Sequence, residues 1–278
     1  MSETSVPSAS PTSSATRAAS TWAAGDYPAM ARRLVPVADR VIAAAGVAPG
    51  TTLLDVGCGT GNAALAAARL GAVATGTDPT PELLAVAARR AREEGLPVTW
   101  QEASADRLTG VHDRVVSVFG AMYAPDPRRA AASMVEHCAP GGRIVSAAWT
   151  PDGFMAAASR AMGRYLPPPP PDAGPPTHWG DADKVREWFA APEAGGATEI
   201  ATSTDHVRLA FASPIEAAEF WVRTAGHLQA ERRRLEASGA WQALHHDLAA
   251  LFTEWNRTPG SGVEVESSYL LAVVTRSV

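Results

Sequence analysis

Short apolar runs alternate with stretches of helical spacing along the first half of the chain. Buried strands in a parallel sheet appear in sequence as such runs, and amphipathic helices repeat their apolar residues every three to four positions. The pattern predicts strands at about 52–56, 72–77, 97–101, 114–119 and 143–149, and helices at about 61–70, 81–94 and 127–138. Strands that alternate with helices indicate an α/β fold with a parallel sheet and right-handed crossovers.

The alternation ends after Trp149. A predicted helix at 153–165 leads into five consecutive prolines at 167–171, a stiff extended connection because proline fixes φ and donates no backbone hydrogen bond. Beyond it the spacing predicts helices at 181–190, 214–230 and 232–256 and strands at 199–211 and 262–274.

Composition and pattern together suggest four regions of the chain. Residues 1–20 are mainly Ser, Thr, Ala and Pro, and we expect a disordered tail there. We assign 21–150 to a ligand-binding core and 151–198 to an insertion that acts as a lid. Residues 199–278 are expected to complete the core and to carry a further helical insertion.

The most informative segment is LLDVGCGTGN, residues 53–62. An apolar strand is followed by glycines at every second position and then by a helix, which is a frame for a nucleotide-like ligand at a sheet edge. A dinucleotide fingerprint would place its third glycine at position 62, where this chain has Asn62. The spacing therefore disfavours a NAD-dependent oxidoreductase. Asp78, at the predicted end of the second strand, is placed to accept hydrogen bonds from the ribose hydroxyls of a nucleoside.

This glycine pattern resembles motif I of the class I methyltransferases that use S-adenosylmethionine (SAM). The segments GAVATGTDPTPELLAVAARRA, VVSVFGAMYAPDP and APGGRIVSAAWTP extend the resemblance, which is to the group related to ubiquinone and menaquinone biosynthesis. It covers most of residues 22–150. It implies a Rossmann-like sheet of seven strands, mostly parallel with the last strand antiparallel, with helices on both faces and a helical lid between strands 5 and 6.

The resemblance also implies which residues hold SAM and its product S-adenosylhomocysteine (SAH). Asp55 would fix the amino group of the methionine part and Asp78 the ribose. After strand 3, where the group commonly has an aspartate for the adenine amino group, this chain has Ser104, and nearby Asp106 can substitute for it. The full set of predicted cofactor residues is Tyr27, Asp55, Gly57, Cys58, Gly59, Gly61, Asn62, Asp78, Pro79, Ser104, Ala105 and Phe119.

The methyl acceptor is expected at the carboxyl ends of strands 4 and 5. Met122, Trp149 and Trp179 are the predicted pocket residues, and His178 and Tyr123 are the predicted catalytic residues, with His227 a weaker candidate for the base. Trp22 lies with Tyr27 where related enzymes cover the cofactor. The pattern leaves open whether oxygen, nitrogen or carbon receives the methyl group, and no metal site is predicted.

Charge and composition narrow the partners. The net charge is −5 and the chain has a single lysine, which disfavours nucleic acid and anionic membranes and favours a small-molecule acceptor. Two cysteines and the lack of a signal-like or membrane-spanning run indicate a cytoplasmic protein, expected as a monomer or homodimer.

Three alternatives to methyl transfer stay open at this point. A SAM-binding enzyme of this fold can catalyse another reaction, such as a cyclisation in secondary metabolism. The chain can also be a non-catalytic SAM-binding module. The oxidoreductase is the third alternative, already disfavoured by Asn62.

Overall fold

A seven-stranded sheet with the order β3-β2-β1-β4-β5-β7-β6 forms the centre of the computed structural model, which describes residues 21–169, 174–190 and 197–278. Strand β7 runs antiparallel to β5 and β6, whereas the other neighbouring pairs are parallel. The predicted fold is therefore confirmed. The strands are β1 Thr52–Val56, β2 Val73–Asp78, β3 Val98–Glu102, β4 His112–Val118, β5 Cys138–Trp149, β6 Ala197–Phe211 and β7 Val263–Arg276.

The helices cover the sheet and build a second layer of packing beyond it. None of those in the described part of the chain is long and apolar enough to cross a bilayer. In chain order they are α1 Tyr27–Arg33, α2 Val35–Ala45, α3 Asn62–Arg69, α4 Pro81–Glu93, α5 Pro127–Glu136, α6 Phe154–Gly163, α7 Ala182–Ala190, α8 Pro214–Thr224, α9 Gly226–Ala237 and α10 Ala240–Glu254. Two short 3-10 helices, Ala121–Tyr123 and Pro176–Gly180, follow β4 and precede α7.

The strand order reverses between β1 and β4, and this reversal positions the site. Right-handed crossovers then place α3 and α4 on one face of the sheet and α5 on the other. Because α3 and α5, the helices that follow β1 and β4, lie on opposite faces of the sheet, the reversal creates a crevice at the carboxyl ends of these strands. Ligands of open α/β sheets bind in such a crevice.

Two sequence expectations differ from the observed elements. The predicted helix 232–256 is broken, because Gly239 takes a left-handed backbone conformation with φ 72° between α9 and α10. The helix predicted to reach residue 230 ends at Thr224, and α9 begins at Gly226. The predicted tail 1–20 and residues 170–171 of the proline segment lie outside the described residues.

Two hydrophobic clusters stabilise the described structure. The first fills the space between the sheet and the helices that flank it. The second lies among α6, α8, α9 and α10 and includes residues from the far ends of β6 and β7, among them Leu209 and Val265. Met30 and Met155 pack against both clusters. The second cluster therefore forms a helical cap, here meaning α6 and α8–α10, that is attached to the core through α1 and the paired strands β6 and β7.

Candidate cofactor site and acceptor side

The glycine loop between β1 and α3 lies at the reversal of strand order. Gly57, Gly59 and Gly61 have φ values of 66°, 53° and 84°, in the left-handed region that glycine tolerates best. A Cβ atom on Gly57 would lie 2.7 Å from Gly120 Cα, and one on Gly61 would lie 2.6 Å from the Trp100 ring. Close packing of the loop against neighbouring elements therefore excludes a side chain at Gly57 and Gly61.

Asp55 is buried one residue before the end of β1. Its Oδ2 accepts a hydrogen bond from the Ala64 amide at 3.0 Å, whereas Oδ1 has no partner among the described residues. Burial raises the pKa of this carboxyl group to about 7, against the Ala64 hydrogen bond, and the nearby Asp78 carboxylate adds to the rise. A ligand with a cationic donor would supply the missing partner.

Asp78 ends β2 and holds the loop from the other side. Its Oδ2 accepts from the Gly59 amide at 2.8 Å and its Oδ1 from the Thr80 amide at 2.9 Å. Burial raises the pKa of Asp78, although both hydrogen bonds oppose the rise. Each oxygen keeps a lone pair for a further donor.

Tyr27 covers the glycine loop from α1. Its Cε1 atom lies 3.1 Å from the position that a Cβ on Gly59 would occupy. Burial raises the pKa of the Tyr27 phenol, and Tyr123 and the carboxylates of Asp78 and Asp55 add to the rise. A cavity beneath the ring is lined by Tyr27, Ala31, Leu34, Asp55, Cys58, Thr60, Asn62, Ala63, Val118 and Phe119.

Arg90, in α4, contacts the same loop and was not foreseen from the sequence. Its Nη1 donates to the Thr60 carbonyl at 2.6 Å, to the Thr60 hydroxyl at 3.3 Å and to Asn62 Oδ1 at 2.8 Å. Asn62 in turn donates from Nδ2 to the Ala31 carbonyl of α1 at 2.7 Å. An arginine on a helix rich in charged residues usually faces solvent, so the sequence carries little sign of this role.

The predicted adenine contacts follow β2 and β3. The Ala103 amide donates to the Asp78 carbonyl at 3.3 Å, which keeps the two strand ends together. The Ser104 hydroxyl donates to the Asp106 carboxylate, so these two predicted groups are adjacent. Pro79 and Ala105 are both partly buried beside them.

Three aromatic rings meet where β4 and β5 end beside the middle of β7. Phe119 stacks on Trp149 with ring centroids 3.7 Å apart, and Tyr269 meets the Phe119 ring edge-on at 5.9 Å. Phe119 has a φ of 58°, the sole positive value for a non-glycine residue in the described ranges. Met122 is buried in the 3-10 helix that follows. The predicted residues Phe119 and Trp149 are thus in direct contact.

Tyr123 links this region to the segment before α1. Its ring meets that of Trp22 at 4.7 Å, and Trp22 meets Tyr27 at 5.5 Å. Tyr123 is 45% exposed, so its ring lies at the surface of the site rather than within the core.

The remaining predicted residues are farther from the loop. The 3-10 helix that carries His178 packs against the one that carries Tyr123. Trp179 is buried against Trp188, and its indole N–H has no partner among the described residues. His227 is the second residue of α9, and burial lowers its pKa. No group of three or more metal-ligating side chains occurs in the ranges that the structure describes.

The sequence of residues 53–142 matches a protein family described as "Methyltransferase domain". These residues form a class I methyltransferase domain. Together with its flanks, the domain is 41% identical over 163 residues to an uncharacterized protein of Mycobacterium tuberculosis, covering 57% of this chain and 60% of that protein. Ubiquinone biosynthesis O-methyltransferase of Methylococcus capsulatus is 32% identical over 121 residues, covering 42% of this chain and 47% of that enzyme.

The chain thus spans less than two thirds of the length of these curated relatives. A crystal structure of a methyltransferase-like protein from Bacillus halodurans superposes on the domain and its surroundings with a TM-score of 0.59 and 15% identity. That match covers 87% of this chain and 99% of the Bacillus chain, and it shows a shared fold.

Proposed function

We propose that this chain is a SAM-dependent methyltransferase that acts on a small-molecule acceptor. The proposal is carried by the Asp55 oxygen that has no partner among the described residues and belongs to a residue lining the cavity at the glycine loop. A buried carboxylate oxygen without a hydrogen-bond donor is costly unless a cation or a donor group of a ligand binds it. The ammonium group of the methionine part of SAM would be such a partner, and the methyltransferase domain supports a cofactor of this type.

Asp78 and its neighbours fit the nucleoside part of the cofactor. The two oxygens of Asp78 each hold one backbone amide and retain lone pairs for the two ribose hydroxyls. Ser104, with Asp106 beside it, and the partly buried Pro79 would contact the adenine. Gly57, Cys58, Gly59 and Gly61 would present the loop backbone to the methionine part.

When bound, SAM would supply an electrophilic methyl group: the nucleophilic atom of the acceptor would bond to the methyl carbon in line as the bond from that carbon to sulfur breaks, and SAH would be released. The chain has to exclude water and hold the acceptor in line. Tyr27 covers the loop, while the stacked rings of Phe119 and Trp149 form an apolar wall beside it.

Several features support a small acceptor at the carboxyl ends of β4 and β5. Aromatic side chains surround this position, and the helical cap adjoins it through α1. Met122, Trp149 and Trp179 are the proposed pocket side chains. Tyr123 and His178 are the proposed catalytic groups, because the two 3-10 helices that carry them pack together. The net charge of −5 favours a small molecule over nucleic acid.

Other expectations stay predictions. They are the cytoplasmic location, a role in secondary metabolism, the monomeric or dimeric state, and the alternative of a cyclisation that uses SAM only as a bound ligand. Product analysis separates that alternative from methyl transfer, because only methyl transfer converts SAM to SAH.

The test is transfer of label from methyl-labelled SAM into an extract that is separated into small-molecule, protein and RNA fractions. The wild type should label the small-molecule fraction. Asp78→Asn should lose at least about tenfold in SAM affinity, since it removes a charged acceptor. Asp113→Asn is the matched control, because Asp113 also accepts two hydrogen bonds, from the Thr52 amide and hydroxyl, but lies near the start of β4, at the opposite end of the strands from the proposed site.

Label in protein or RNA would contradict the proposed acceptor class. Binding of SAM without any labelled product would favour the cyclase alternative. Equal SAM affinity for Asp78→Asn and Asp113→Asn would contradict the site itself.

A further inference from the structure

We propose that Arg90 is a positioning residue for the cofactor: it holds the glycine loop and, through Asn62, helix α1 above that loop. The inference rests on the proposed SAM site. It adds a residue that belongs to no glycine motif and lies on α4.

The first step is the contact between Arg90 and the loop. One nitrogen, Nη1, serves three acceptors on Thr60 and Asn62, the residues on either side of Gly61. Gly61 has a φ of 84° and no room for a side chain, so its own backbone conformation is already restricted. Arg90 therefore fixes the two residues that flank the most constrained point of the loop.

The second step is the relay through Asn62. Its amide oxygen accepts from Arg90 at 2.8 Å, and its amide nitrogen donates to the Ala31 carbonyl at 2.7 Å. Both ends of the amide are thus used, and its orientation is determined. Ala31 lies on α1, the helix whose Tyr27 ring rests on Gly59. The relay connects Arg90 to the residue that covers the loop.

The third step separates positioning from simple helix packing. Arg69 of α3 and Glu94, directly after α4, form two hydrogen bonds of 2.7 Å between the same two helices. That pair does not touch the glycine loop. If Arg90 only joined α3 to α4, loss of either arginine would have the same kind of effect.

The experiment compares Arg90→Ala, Arg90→Lys and the matched control Arg69→Ala by calorimetric binding of SAH and by thermal unfolding. Arg90→Ala should weaken SAH binding by roughly tenfold, as expected for loss of charge-assisted hydrogen bonds. Arg90→Lys keeps the charge and a nitrogen donor, but an ammonium group on a shorter side chain lacks the planar guanidinium that places Nη1 between Thr60 and Asn62, so its affinity should be intermediate. Arg69→Ala should change SAH affinity by less than about twofold, whatever it does to the unfolding temperature.

A second readout needs no cofactor. Hydrogen exchange of the unliganded protein should be faster in the loop and in α1 for Arg90→Ala, and unchanged there for Arg69→Ala. Equal SAH affinities and equal exchange for the two alanine variants would overturn the proposal. A wild type that binds no SAH would instead contradict the proposed function, so the two failures are distinguishable.

Discussion

At the scale of a single residue, Asp55 combines a position suited to ligand binding with a cost in folding stability, because one of its carboxylate oxygens is buried without a described partner. Its position in β1 is fixed by strand pairing, and its Oδ2 is held by the Ala64 amide. The other oxygen is buried without a described partner. The motif alone identified the residue, but the loss of solvent around this oxygen depends on Tyr27 and Phe119, which lie far away in sequence.

This arrangement predicts a pH dependence of stability in the unliganded protein. The pKa of Asp55 is raised from 3.8 to about 7, so the folded state binds more protons than the unfolded state between these values. Stability should therefore fall as pH rises through this window, and the contribution of Asp55 should be on the order of 3 kcal/mol. Urea unfolding of the wild type and Asp55→Asn at pH 5 and pH 8 measures it.

The free energy of unfolding of Asp55→Asn should fall less between pH 5 and pH 8 than that of the wild type, whatever its absolute value. Asp78 remains in both proteins, and because its charge interacts with that of Asp55, its own pKa rise should be smaller in Asp55→Asn, which acts in the same direction. Saturating SAH should reduce the wild-type loss as well, because a bound ammonium group favours the ionised carboxylate. Parallel pH profiles for the two proteins would refute the buried, unpaired state of Asp55.

At the scale of elements, the close contact between the loops that follow β1 and β4 determines the geometry of the proposed site more than the surrounding helices do. Gly57, after β1, and Gly120, after β4, pass each other so closely that a Cβ on Gly120 would lie 2.4 Å from the Gly57 carbonyl oxygen. The backbone of both loops would have to move to admit a single methyl group. The geometry of the proposed site is therefore determined by contact between the backbones of these two loops.

We expect Gly120→Ala to be destabilising by more than about 2 kcal/mol and to weaken SAH binding strongly, because the clash involves backbone atoms. Gly163→Ala is the matched control: it makes the same chemical change at the end of α6, where nothing lies within 4 Å of the new Cβ. That variant should gain up to about 0.5 kcal/mol through helix propensity. Thermal unfolding and calorimetry of both variants check the prediction, which fails if they behave alike.

The elements also show what the sequence could predict and what it could not. Strand β1 and helices α3 and α4 were predicted within a residue or two, because their apolar patterns and their flanking glycines and prolines are local signals. The roles expected of Asp55 and Asp78 came from the motif. By contrast, the contact of Tyr27 with Gly59 and the relay from Arg90 through Asn62 join residues about 30 positions apart. No periodic pattern encodes such pairings, and Gly239 broke a helix that the pattern continued.

At the scale of the whole molecule, one hydrophobic cluster adjoins the proposed cofactor site and the other stabilises the helical cap. The first cluster includes Phe119 of the proposed cofactor site, whereas most of the buried apolar residues of the cap helices belong to the second. Helix α1 joins the clusters: Met30 packs against both, and Arg33 places its guanidinium over Phe211 and Phe220 of the second. Asp26, just before α1, pairs with Arg223 of α8. The segment that covers the glycine loop is thus attached to the cap.

This division predicts that the cap can be loosened without loss of cofactor binding. Leu248 of α10 and Leu54 of β1 are both fully buried, one in each cluster. Truncation to alanine should cost about 2–5 kcal/mol locally at either site, because each leaves a cavity. For Leu248→Ala we expect faster hydrogen exchange in α8–α10 and SAH affinity within about twofold of wild type, since opening can be confined to one cooperative unit.

Leu54→Ala is the comparison, because it removes the same atoms from the strand that carries Asp55. It should speed exchange in β1, β2 and the glycine loop, and it should lower SAH affinity together with overall stability. If Leu248→Ala instead accelerated exchange in β1 and β2 as much as in α10, the two clusters would unfold as one unit. The connection through α1 would then couple the cap to the cofactor site. In that case, substitutions in the cap should change SAM affinity as much as substitutions in the glycine loop do.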